Sequence, residues 1–87
     1  MLSSKQLAEL RAEPLIGPNR LFRAMDLAGV TQIDVAAATT FTQSYVSRIG
    51  NGQYQRLPGE TMRTLAAYFG CTIEDLFPAR QHQEQSA

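Results

Sequence analysis

The sequence predicts an all-α fold: five helices in one compact domain, with an additional helix at the N-terminus. Apolar residues recur at spacings of three and four in successive short stretches, the period of a helix with one buried face. A Ser or Thr suited to N-capping opens most of these stretches, and Gly or Pro closes them. No internal repeat or coiled-coil heptad appears, and 87 residues suit a single domain.

Residues 3–13, SSKQLAELRAE, form the first expected helix. Ser3 and Gln6 make a capping box, Leu7 and Leu10 give a thin apolar edge, and Pro14, Gly17 and Pro18 end the segment. Residues 1–18 are thus a helix and its linker. Two readings stand for it: a peripheral helix resting Leu7 and Leu10 on the core, or an arm reaching a partner subunit or DNA. The next helix starts at Pro18 or Asn19 and runs to Ala28, where Gly29 closes it. Leu21, Met25 and Ala28 line one face, Phe22 widens it, and Val30 anchors the chain beyond the cap.

The stretch from Thr31 to Gly52, TQIDVAAATTFTQSYVSRIGNG, is the part the rest is organised around. Thr31 caps a first short helix, with Asp34 in its first turn and Ile33, Val35, Ala36 and Ala38 as a closely packable side. Thr39, Thr40 and Phe41 make the turn, and Thr42 caps a second helix. There Val46 and Ile49 face inward while Gln43, Ser44, Ser47 and Arg48 point elsewhere. Gly50, Asn51 and Gly52 are expected to stop it through left-handed backbone. Two helices across a tight turn are a helix-turn-helix, whose second helix can enter the DNA major groove.

Residues 53–60, QYQRLPGE, read as a loop leading through Leu57 and Pro58 into a helix carrying Met62, Leu65, Ala66 and Phe69, capped by Gly70. Thr72 with Asp75 opens a last short helix, TIEDLF, and Pro78 stops it. Residues 19–78 therefore form the domain, and residues 79–87, almost without apolar side chains, are expected to be a disordered tail.

The formal net charge of zero weighs against a strongly basic nucleic-acid surface, but the charge is polarised. Residues 20–63 hold five arginines against three acids, and residues 64–87 hold one against three. Arg20, Arg23 and Arg56 are the cations expected to anchor phosphates, while Arg23 and Arg63 also fit a plain solvated surface. The lone Cys71, expected as a small buried thiol, excludes an intrachain disulfide and a multi-cysteine metal site, and His82 has no ligand partners nearby. No catalytic series, metal-ligand cluster or Gly-rich phosphate loop is present, so neither an enzyme nor a cofactor or metal is expected. Nothing reads as a signal peptide or membrane span, which makes the cytoplasm the expected location.

Over residues 20–78 the order and spacing of these signals resemble the phage-repressor and Cro family of helix-turn-helix DNA-binding domains, which also includes small bacterial regulators and antitoxins. The resemblance rests on Thr31-Gln32, Val35-Ala36, Thr42 through Ile49, Asn51-Gly52, Leu65-Ala66, Phe69-Gly70, and Ile73 with Asp75-Leu76-Phe77. It implies that Gln43, Ser44 and Arg48 read base edges. It further implies that Gln32, Thr42, Tyr45, Ser47, Asn51 and Arg56 contact the DNA backbone. The chemistry agrees: an amide bonds bidentately to adenine and a guanidinium to guanine. The resemblance also implies a homodimer through Arg56, Leu57 and Pro58 with Ile73, Leu76 and Phe77. A helix as short as TIEDLF is expected to leave part of its apolar surface for a second copy.

Three departures stand out. Thr40 occupies the turn position where relatives carry Gly, so the turn is either strained or differently built. The loop after Gly52 is slightly longer. Met25 and Gly50 replace an Arg–Glu pair found in many members, which reads as an apolar substitute with no charge stranded. Tyr45 fits either DNA contact or packing, and Phe41 fits the core better. The expected function is a sequence-specific regulator of double-stranded DNA, acting as a repressor on a palindromic operator. The alternative is an antitoxin or other module that binds a protein partner through its N-terminal helix or tail.

Overall fold

Four of the helices begin where a hydroxyl side chain accepts an otherwise free backbone amide. In the computed structural model, which describes residues 1–78, the elements are α1 (Ser4–Ala12), α2 (Leu21–Ala28), α3 (Gln32–Ala38), α4 (Gln43–Gly50), α5 (Gly59–Phe69) and α6 (Ile73–Leu76). Ser3, Thr31, Thr42 and Thr72 cap α1, α3, α4 and α6, and all but Thr42 complete a reciprocal capping box. Each such cap is worth about 1 kcal/mol, a sizeable share of what helices of four to nine residues need. The expected tail, residues 79–87, lies outside the described residues.

Every one of these helices places a side chain at 0% exposure in one core: Leu10, Leu21, Val35, Val46, Leu65 and Leu76. Fully burying a Val or Leu contributes about 1.5–3 kcal/mol, so the core and not the short helices themselves holds the fold. Gly29 and Gly70 take left-handed φ values of 71° and 72° and end α2 and α5 as expected.

The N-terminal helix is packed, not an arm. Leu10 lies in the core with Leu7 partly buried against it, and the Leu2 amide donates to the Phe69 carbonyl at 2.9 Å. The Gln6 side-chain amide donates to the Leu27 carbonyl at 2.6 Å. Arg11 grips Asp75 with two hydrogen bonds of 2.8 and 3.0 Å, tying α1 to α6.

That ion pair fixes a pH dependence. Hydrogen bonds from Arg11, and from the Thr72 amide and hydroxyl, hold the Asp75 carboxyl at about 2, below its ordinary 3.8. A depressed carboxylate stabilises the fold above its unfolded value and loses that contribution as pH falls through the folded one. Between pH 4 and 2 the protein should therefore lose up to about 2 kcal/mol through this group. Urea unfolding across that range checks it: Asp75→Asn should flatten this part of the pH slope, and an unchanged slope would assign it elsewhere.

Candidate nucleic-acid interface

The turn between α3 and α4 is built without left-handed backbone. Among the described residues no non-glycine has positive φ, so Thr40 is not strained there and the turn differs from one that needs Gly. Thr39 does the work instead. Its hydroxyl donates to the Val35 carbonyl at 2.9 Å and accepts from the Phe41 amide at 3.2 Å, satisfying one carbonyl of α3 and fixing the exit of the chain.

The end of α4 also departs from expectation. Gly50 is helical and buried, Asn51 is right-handed at φ −81°, and only Gly52, at φ 77°, takes the left-handed conformation. Gly50 is needed for space, because a Cβ there would run into the ring of Phe22. With Met25 at 6% exposure, the two positions are apolar and packed, in keeping with an uncharged substitute for the ion pair.

Asn19 clamps the same end. Its carbonyl oxygen accepts from the Leu21 amide at 3.0 Å, and its amide donates to the Ile49 carbonyl at 2.8 Å, joining the start of α2 to the end of α4. The residue is 7% exposed and positions the helix. Sequence reading marked Asn19 only as a helix start, since nothing local signals a contact thirty residues away.

These supports present one polar face. Gln32 from α3, Gln43, Ser44, Ser47 and Arg48 from α4, and Gln53 from the loop beyond line a single open depression. All three expected base-reading residues are there, and Gln43, Ser44 and Arg48 are exposed. Gln32 and Ser47 join them. Gln53, part of the loop through Arg56 that the resemblance sets against the DNA backbone, is brought in because its backbone amide donates to the Arg48 carbonyl at 3.0 Å as the chain folds back past Gly52.

Other expected backbone contacts are not in this depression. The Thr42 hydroxyl is engaged by the Tyr45 amide at 3.0 Å. Tyr45 packs edge-on to Phe41 and Tyr54, with centroids 5.2 and 5.5 Å away, so packing describes its ring. Asn51 is exposed and its amide lies 3.4 Å from the Ser47 hydroxyl, while Arg56 is exposed on the loop.

The arginines divide sharply. Arg23 bonds Glu13 twice at 2.8 Å and lies within 4 Å of Glu9 and Asp26, so it is a neutralised cation and not the open phosphate anchor expected. Its hydrogen bonds hold the Glu13 carboxyl below the usual range. Arg20 donates to the Glu13 carbonyl at 3.2 Å. Among the described residues Arg48, in contrast, makes no ion pair, and none of them brings a carboxylate to the depression around it.

The expected dimer surface needs correction. Leu57 on the loop before α5, and Leu76 and Phe77 at the end of α6, are 3%, 0% and 0% exposed within a single chain, so the chain's own core takes up all three. α6 packs against α5 and is tied to α1 through Arg11 and Asp75, so of its apolar side chains its shortness leaves only Ile73 partly uncovered. Of that set, Arg56 and Pro58 remain exposed and Ile73 half-buried. Burial, not reactivity, also describes Cys71, whose half-buried thiol is pushed up to about 11. No helix among the described residues is long and apolar enough to cross a membrane.

Two capped helices at a tight turn, with amides, hydroxyls and a guanidinium that has no ion pair among the described residues, can bond to base edges and phosphates. The family model of the Cro/C1-type helix-turn-helix DNA-binding domain matches residues 20–80. No curated protein and no solved structure matches the chain. The chain belongs to the Cro/C1-type helix-turn-helix DNA-binding family.

Proposed function

We propose that this protein is a sequence-specific regulator of double-stranded DNA that represses by occupying a palindromic operator as a homodimer. The observation that carries this reading is the depression on α3 and α4, where exposed Gln43, Ser44 and Arg48 share one face with Gln32. In this reading Gln43, Ser44 and Arg48 meet base edges. Gln32, Ser47, Asn51 and Arg56 meet the backbone, with Thr42 and Tyr45 contributing from the rim. A single short helix covers few base pairs, so two copies spaced about 34–36 Å apart supply the affinity and specificity of a symmetric site. Arg56, Pro58 and part of Ile73 are the accessible part of the surface between them.

Arg48→Ala should cost about 1–3 kcal/mol on the preferred site and relax discrimination at one base pair, whereas Gln32→Ala should weaken all duplexes about evenly. Titration of labelled duplexes checks both, and the bound stoichiometry checks the dimer. An unchanged preference in Arg48→Ala would displace α4 as the reading helix, and one chain per asymmetric site would defeat the dimer. The alternative, capture of a protein partner through the N-terminal helix, draws less support because Leu10 is wholly engaged in the chain's own core.

A further inference from the structure

Outside the polar depression, Glu13, Pro14, Ile16, Asn19, Arg20 and Arg23 line a partly enclosed cavity of about 140 Å³ between the linker and the start of α2. Its surface is mainly apolar. Ile16 is 86% exposed, the highest value among the large hydrophobic side chains of the described residues. An apolar wall left in water gains from being covered by an apolar group.

The charges around the cavity are unequally committed. Arg23 and the Glu13 carboxylate bond each other twice at 2.8 Å. Glu9 and Asp26 lie 3.6 and 3.8 Å from Arg23 with side chains 49% and 79% exposed, so solvent screens them. Arg20 makes no ion pair among the described residues. A terminal nitrogen of Arg20 donates to the Glu13 carbonyl at 3.2 Å, and its Nε is buried with no hydrogen-bond partner among the described residues. Leaving a buried charged donor unmet is costly, so this guanidinium gains from an acceptor that takes two of its N–H groups at once. A carboxylate does that, approaching Nε and a terminal nitrogen side-on in exchange for the bond to the Glu13 carbonyl.

We propose that this cavity binds a small apolar monocarboxylate, with its carboxylate on Arg20 and a body of about six carbons against Pro14 and Ile16. The size follows from the volume, since an apolar cavity of ~150 Å³ holds one benzene ring. Asn19 lines the same cavity and carries the joint to the Ile49 carbonyl, which sets the ligand beside the end of α4. The site is separate from the face proposed to meet DNA and does not rest on that reading.

Titration of the full chain with benzoate, followed by amide proton–nitrogen correlation spectra, tests it. Acetate supplies the head without the body, and benzamide the ring without the charge. Benzoate should shift the Arg20 Nε–H signal and the backbone amides of Leu15, Ile16, Asn19 and Arg20. It should bind at least about tenfold more tightly than either control. Arg20→Met should remove the advantage of benzoate over benzamide. Ile16→Ser should remove its advantage over acetate, in a chain that keeps its fold because Ile16 is exposed. Equal affinity for the three probes, an unmoved Arg20 Nε–H signal, or shifts scattered over other arginines would overturn the site. So would Ile16→Ser binding benzoate as the unmodified chain does.

Discussion

Leu10→Ala should destabilise the protein by about 2–5 kcal/mol, the range for removing a large aliphatic side chain from a closed core. Leu10 is 0% exposed, whereas Leu7, on the same helix, is only partly buried and should cost less on truncation. A domain of this size has a total stability of roughly 5–15 kcal/mol, so the variant approaches unfolding. Urea denaturation followed by helical circular dichroism measures both. Equal, small effects at Leu7 and Leu10 would mean that α1 is detachable. If α1 is structural, deleting residues 1–13 should destabilise the domain as well, because it removes Leu2 and Leu10 from the core and leaves Asp75 without Arg11.

Gly50→Glu should be comparably severe. It buries a carboxylate with no partner, at about 3–5 kcal/mol, and adds a Cβ where the Phe22 ring already lies. Gly50→Ala isolates the steric part and should cost about 1–3 kcal/mol. In a Phe22→Ala background the Gly50→Ala penalty should shrink, so the double-mutant cycle should show coupling of at least about 0.5 kcal/mol. Additive effects would remove Phe22 as the neighbour that dictates glycine. Restoring the ion pair of other family members by Met25→Arg with Gly50→Glu should fail to rescue, since the aromatic ring occupies the needed space.

The elements were legible because their signals are local. A hydroxyl followed three residues later by Gln or Asp marks a capping box within one turn, and Ser3, Thr31 and Thr72 all complete theirs. The outward face of α4 was legible for the same reason: Gln43, Ser44 and Arg48 are outward once Val46 and Ile49 are inward. What escaped depends on contacts between distant segments. The Thr39 turn needs a choice among rival backbone paths, and Asn19 finds its partner across thirty residues. The burial of Leu76 and Phe77 turns on how α6 packs against α5, and Arg23 looks like a phosphate anchor until Glu13 is placed against it.

The Asn19 clamp bears on the thermodynamics of recognition. A single amide, with both ends engaged, ties the last turn of α4 to the start of α2, so in the proposed role α4 meets its target already ordered. Binding then freezes only exposed rotamers such as Gln43 and Arg48, at about 0.5–1.5 kcal/mol each, with no helix to be folded. The heat-capacity change of complex formation should accordingly report the contact surface alone, without the large negative excess of coupled folding. Asn19→Ala, by loosening that joint, should make the heat-capacity change more negative even though Asn19 lies outside the depression.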